Sequence, residues 1–258
     1  MDEIVGALGW KSSVWSKGLL ALMILVCTLV FLLGSYWLEQ TLQLGPYPVQ
    51  IIIWITFLFW LGYLFPLHHY TAVGSRMVRS YRSGFYRHIL PGICLNFAQL
   101  LCPLFYAVIF MDFWPASLPF AVVGLMMMAI GSLMILLGLH SLGIAGAMFI
   151  REYQEASPNI ISQGIYGLMR HPLFTGGILT SFGTAVFLGR NPSLTLGFIN
   201  LMVLPAFVVV EDKRCGRVFG TSYREYSQTV GAVLPELHWI SSRKRQLLTR
   251  IMSRRHQM

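Results

Sequence analysis

The chain has 258 residues, of which 55% are hydrophobic and only 11% charged, with a formal net charge of +9. A soluble domain carries about 25% charged residues. So low a charge, combined with long apolar runs, excludes an ordinary soluble domain and points to an integral membrane protein.

Six apolar stretches follow in chain order, at about 18–38, 48–67, 89–111, 118–140, 172–189 and 193–210. Each approaches the roughly 20 residues that cross a ~30 Å hydrocarbon layer as a helix. Lipid offers the backbone no hydrogen-bond partner, so the expected fold is all-α, a polytopic transmembrane helix bundle. The fifth and sixth stretches are the shortest and contain Gly and Pro. They are expected to tilt, break or pair as a re-entrant hairpin. The first stretch is too long for the apolar region of a signal peptide and reads as an uncleaved span.

Lys and Arg set the orientation. Lys11 and Lys17 precede the first span, Arg76, Arg79, Arg82 and Arg87 follow the second, Arg151 and Arg170 follow the fourth, and ten more follow the sixth. With six spans and both termini cytoplasmic, every basic residue except Arg190 falls inside. The basic tail, with Arg243, Lys244, Arg245, Arg250, Arg254 and Arg255, reads as an anchor on anionic lipid. No aromatic platform accompanies these charges, so nucleic acid is not an expected partner. Cys27, Cys94, Cys102 and Cys215 show no metal-ligand spacing, and no metal is expected.

Residues 1–129 read as a transmembrane scaffold, 130–236 as the functional region and 237–258 as a basic cytoplasmic tail. The scaffold spans lack interior charge. From Gly138 onward, Gly and polar residues gather at the membrane boundaries. Residues 211–228 read as one further helix, lying on the membrane surface or capping the bundle.

Four features carry candidate chemistry. Arg170-His171-Pro172 opens the fifth span. Pro172 suits the first helical turn, and His171 before it is biased towards extended backbone, which turns Arg170 and His171 towards a cytoplasmic cleft. Glu211-Asp212 closes the sixth span, near the negative end of a helix and an anionic leaflet. A cation must compensate: Arg170, Lys213, Arg214 or a cationic ligand. Gly143 and Gly146 permit close approach of a helix or a ligand. His68, His69 and His140 are histidines at membrane boundaries, with His140 a candidate to point into the same pocket.

The order of these features resembles a known superfamily. Gly164, Tyr166, Arg170, His171, Pro172, Phe174 and Gly176 are followed by Glu211 and Asp212, then by Phe219, Gly220, Tyr223, Tyr226, Val230 and Pro235. This is similar to the membrane methyltransferases typified by isoprenylcysteine carboxyl methyltransferase and phosphatidylethanolamine N-methyltransferase. The resemblance covers about residues 130–236. It implies S-adenosylmethionine as cofactor, in a cytoplasm-facing pocket of an endoplasmic reticulum or bacterial inner-membrane protein. A lipidic or small hydrophobic acceptor (a prenylcysteine carboxylate, a phospholipid amine or a thiol) is implied to arrive from the bilayer. Arg170 and Glu211 are implied as catalytic residues. Gly143, Gly146, Tyr166, Arg170, His171, Pro172, Glu211 and Asp212 are implied to bind the cofactor. Phe174 stands where the family has Tyr, and Asp212 where it has a second Glu. Two rival resemblances stand beside this one: a non-catalytic, nurim-like membrane protein, and a haem- or NADPH-dependent isomerase or reductase, with His68, His69 or His140 as haem ligands.

Overall fold

The computed structural model describes residues 2–64, 77–110, 114–150, 152 and 159–234. His68, His69, Arg76, Arg151, Pro235 and the basic tail lie outside the described residues, as does the side chain of Arg79. Among the described residues the fold is all-α, with one isolated parallel bridge between Met169 and Gly231.

A short helix α1 (Asp2–Ala7) precedes α2 (Val14–Leu42). Ser13 caps α2 by accepting from Ser16 N at 3.1 Å. Helix α3 (Pro46–Phe59) runs on through a π-helical turn at Trp60–Leu64. Helix α4 (Met77–Gly84) joins α5 (Leu90–Ile109) through a second such turn, Phe85–Ile89. Then come α6 (Leu118–Ala147), a 3₁₀ turn at Gly164–Gly167, α7 (Pro172–Leu188), α8 (Ser193–Phe219) and α9 (Thr221–Thr229).

Among the described residues, five segments are long and apolar enough to cross a membrane: Val14–Leu42, Pro46–Leu64, Tyr81–Ile109, Leu118–Ala147 and Ser193–Phe219. The sixth expected span, α7, has 17 residues, about 25 Å of helix. Rows of exposed aliphatic side chains mark the lipid face, among them Leu22, Leu25, Val26 and Leu29 on α2 and Leu125, Met126, Leu133 and Leu136 on α6. A contiguous belt of this kind belongs in hydrocarbon, not water.

Helices α6 and α7 pair backbone against backbone. A Cβ at Gly131 would lie 2.6 Å from Gly176 O, one at Gly183 2.9 Å from Gly124 O, and one at Gly138 2.8 Å from the Leu173 side chain. Small residues give apolar helices this close approach in lipid, where no hydrophobic force drives them together. Gly131→Leu is expected to force the pair apart and lower stability by about 2 kcal/mol or more, in the range of an overpacked core. Thermal unfolding in detergent measures this.

One polar hub ties the spans together. Asn200 of α8, 0% exposed, accepts from Gln50 Nε2 at 3.0 Å and Trp54 Nε1 at 2.8 Å on α3. It donates to Gln99 O of α5 and to Ser181 Oγ of α7, both at 2.9 Å. Four helices thus share one fully engaged amide, which fixes their register in a medium that offers no substitute partner.

The expected helix over 211–228 is corrected. Helix α8 runs unbroken past Glu211 to Phe219, and the chain turns at Gly220 (φ 60°, ψ −129°) before α9. The positive φ is cheap only for glycine. The charged stretch after Val210 therefore extends the last span instead of starting a surface helix. Helix α6 crosses the boundary drawn at residue 129, and α1 packs in one core with Ala145, Ile178 and Phe207.

Candidate active site

A pocket of about 190 Å3 opens where the end of α6, the start of α7 and the end of α8 meet α9. Its apolar wall includes Leu142, Phe149, Leu173, Phe174, Phe207 and Phe219. Its polar lining includes Glu152, Tyr166, Arg170, His171, Glu211, Arg214 and Tyr223.

Local sequence explains how the first polar group forms. His171, with φ −124° and ψ 53°, stands outside the helix, and Pro172 takes the first helical position. The chain after α9 runs alongside: Arg170 N donates to Gly231 O at 2.9 Å and His171 N to Ala232 O at 3.1 Å. Arg170 reaches across to three acceptors. Nη1 donates to Ser227 O at 2.6 Å and Val230 O at 2.9 Å, and Nη2 to Asp212 Oδ2 at 2.7 Å. Its Nε is buried without a partner. The planar fork is thus engaged within the protein.

Asp212 is the clamp of this group. It accepts from Arg170, from His171 Nε2 at 2.8 Å and from the Tyr223 hydroxyl. Tyr226 OH donates to Tyr166 O at 2.6 Å. Burial pushes the Tyr166, Tyr223 and Tyr226 phenols up, so they stay protonated. Arg170→Lys keeps the charge but loses the fork. It is expected to lower stability by about 1–3 kcal/mol, because buried carbonyl oxygens lose their donor; a denaturation series checks it.

The second polar group centres on Arg214, whose side chain is 4% exposed. It donates to Glu211 through Nε at 2.8 Å and Nη2 at 2.7 Å, and to Glu152 through Nη1 at 2.7 Å. Its guanidinium lies over the Phe149 ring, 5.0 Å from the centroid. Burial pushes the Glu152 carboxyl above the ordinary carboxylate range, against the pull of Arg214. Two carboxylates thus share one cation at the wall of a partly apolar pocket. Buried charge tolerates such an arrangement only with close pairing, and among the described residues the second acid at this wall favours a cationic ligand group.

The aromatic floor connects the pocket to the core. Phe174 stacks on Phe207, ring centroids 3.3 Å apart and planes 11° from parallel, and meets Trp54 edge-on at 6.1 Å. His171 packs edge-on against Phe207 at 5.8 Å. A hydroxyl on Phe174 would have to find a partner within this apolar stack.

Of the residues picked out in the sequence, Gly146, Tyr166, Arg170, His171 and Glu211 line the pocket. Asp212 stands behind Arg170 and His171 and holds them. Pro172 starts α7. Gly143 breaks α6 with φ 69°. His140 is exposed and not among the lining residues, which corrects its expected place in the pocket: it lies on α6 before the Gly143 break that turns the chain inwards. Sequence reasoning missed Glu152, which follows the end of α6. It named Arg214 only as one of several compensating cations. The Glu211 to Arg214 spacing of three is the helical ion-pair spacing, and that signal was available.

Residues 120–222 match the family model of the phospholipid methyltransferases. A rice protein (Oryza sativa subsp. indica) described as a probable protein-S-isoprenylcysteine O-methyltransferase is 35% identical over 117 residues, covering 44% of this chain and 60% of its own length. Protein-S-isoprenylcysteine O-methyltransferase B of Arabidopsis thaliana is 29% identical over 115 residues, covering 43% of this chain and 57% of its own length. The Saccharomyces cerevisiae protein-S-isoprenylcysteine O-methyltransferase is 28% identical over 118 residues, covering 44% and 48%. The chain thus spans about 60% or less of the length of these relatives. No solved structure matches.

Proposed function

We propose, for a chain whose residues 120–222 match the phospholipid methyltransferase family model, S-adenosylmethionine-dependent methyl transfer to a lipidic acceptor, a prenylcysteine carboxylate. The observation that carries this reading is the pairing of two carboxylates, Glu211 and Glu152, with the single buried guanidinium of Arg214 at the pocket wall. That donor set suits a cofactor with cationic centres, and the aromatic walls suit its adenine. The acceptor is taken from the names of the relatives, which are described as protein-S-isoprenylcysteine O-methyltransferases.

When bound, S-adenosylmethionine supplies an electrophilic methyl group on a sulfonium leaving group. The chain's own residues bind, orient and exclude water. Glu211, held through both carboxylate oxygens by Arg214, faces the cationic part of the ligand. Arg170, which lines the pocket, supplies a cation to its carboxylate. Phe149, Phe174, Phe207 and Phe219 keep water from the reacting centre, and desolvation strengthens every charge inside. A carboxylate acceptor is already ionised at neutral pH, so no general base is required. Positioning supplies most of the rate.

In this reading residues 1–129 serve as scaffold, 130–236 as the catalytic region and 237–258 as an anchor on anionic lipid. The pocket lies at the bundle end that also carries Lys17, Arg82 and Arg87, opposite Arg190, so the positive-inside rule turns it to the cytoplasm.

The test uses detergent-purified protein, methyl-labelled S-adenosylmethionine and two acceptors, an S-farnesylcysteine and phosphatidylethanolamine. The expected product is a base-labile methyl ester on the prenylcysteine. Base-stable label on the phospholipid amine overturns the acceptor, and no transfer to either overturns the proposal.

A further inference from the structure

The pocket wall formed by Leu142, Gly146, Ala147 and Phe149 depends on an irregular piece of helix. Gly143 leaves the helical region inside α6. The helix restarts at Ile144, and a restarted first turn presents N–H groups with no carbonyl behind them. A side chain at the capping position ordinarily accepts one of these. Gly143 has no side chain to do so.

The missing acceptor comes from the other end of the sequence. Glu3 Oε2 accepts from Ala145 N at 3.2 Å, across a separation of 142 residues. Its negative charge also suits the N-terminal end of the new turn. Helix α1 is seated firmly enough to deliver that carboxylate. Ile4, Val5 and Leu8 are each 0% exposed, packed in the core with Tyr81, Phe85, Ala145 and Ile150. Lys17 pairs with Asp2 at 2.7 Å. Tyr81 OH donates to Met148 O at 3.3 Å and holds the far side of the same turn. Phe149 then adopts φ 59° under the Arg214 guanidinium.

We infer that Glu3 is a positioning residue for the pocket, capping the broken helix at Ala145 and so fixing the wall that runs from Gly143 to Phe149. What that wall positions, a bound S-adenosyl cofactor, rests on the function proposed above.

The test compares Glu3→Ala and Glu3→Gln with the parent protein. Glu3 is exposed, and both variants keep Ile4, Val5 and Leu8, so the core remains. The first readout is hydrogen exchange of the peptide covering 143–149, which needs no ligand. Glu3→Ala is expected to speed exchange there by about five-fold, the usual worth of a lost helix cap. Glu3→Gln, whose amide oxygen still accepts from Ala145 N, is expected to stay within about two-fold of the parent. The second readout is kinetic: Glu3→Ala is expected to raise KM for S-adenosylmethionine by about five-fold with kcat little changed. Unchanged exchange in Glu3→Ala overturns the cap, and so does a Glu3→Gln as fast as Glu3→Ala. Faster exchange with an unmoved KM overturns the positioning role. A parent protein that binds no adenosyl ligand instead removes the proposed chemistry and leaves the exchange comparison to decide on Glu3.

Discussion

Glu211→Gln is expected to weaken S-adenosylhomocysteine binding by about 30-fold or more, roughly 2 kcal/mol for the loss of a desolvated charge partner. Gln keeps the shape of Glu and can still accept one bond from Arg214. It cannot supply the second bond without presenting an amide N–H to a guanidinium. Of the two acids on Arg214, only Glu152 would remain charged, and the excess of acid at the wall would vanish. The pocket would then favour a cation less. Calorimetric titration of the purified variant measures this directly, and affinity equal to the parent's would remove Glu211 from the binding site. A parallel Glu152→Gln variant tests whether the effect follows the total charge on Arg214 or the identity of the acid.

Asp212→Ala is expected to cost about 3 kcal/mol of stability, the lower end for breaking a buried ion pair on one side. Asp212 is the single acceptor for Arg170 Nη2, His171 Nε2 and the Tyr223 hydroxyl. Its loss takes the paired carboxylate from a guanidinium that is 12% exposed and cuts the side-chain tie between the start of α7 and α8. Tyr223→Phe, which removes only one of the three donors, should cost about 1 kcal/mol. The difference between the two variants separates the clamp from a single hydrogen bond. Chemical unfolding in detergent reads both, and an Asp212→Ala protein as stable as its parent would show that Arg170 finds its support elsewhere.

Much of this architecture is legible from residues alone. The apolar runs give the long helices because each approaches the thickness of the hydrocarbon layer. Pro172 marks the start of α7 and keeps His171 before it out of the helical region. The need of Glu211 and Asp212 for cations is also visible, but not which cation serves which acid. Helix α8 continues about two and a half turns further into charge than its hydropathy indicates, and that places Arg214 beside Glu211 and Asp212 across from Arg170. Apolar patterning cannot show such a continuation, because the charges satisfy one another inside the bundle instead of facing water. Glu152 and Glu3 were illegible for a related reason: each acts on a partner distant in sequence, through a loop or a terminal helix without periodicity. Asn200 left a faint signal as a lone amide in an apolar run, matched by Gln50 and Gln99 in other spans. His140 misled because nearness to a pocket along a helix does not set the direction of a side chain. One residue of helix turns it by about 100°.

The most direct test of the central claim is calorimetric titration of detergent-purified, demonstrably folded protein with S-adenosylmethionine and S-adenosylhomocysteine, with NADPH as control. The account predicts saturable, one-to-one binding of both adenosyl ligands, weakened in Glu211→Gln, and no binding of NADPH. Binding of NADPH alone, or of none of the three, would contradict it and reduce Arg214 with its two carboxylates to an ion-pair network that holds the helices together.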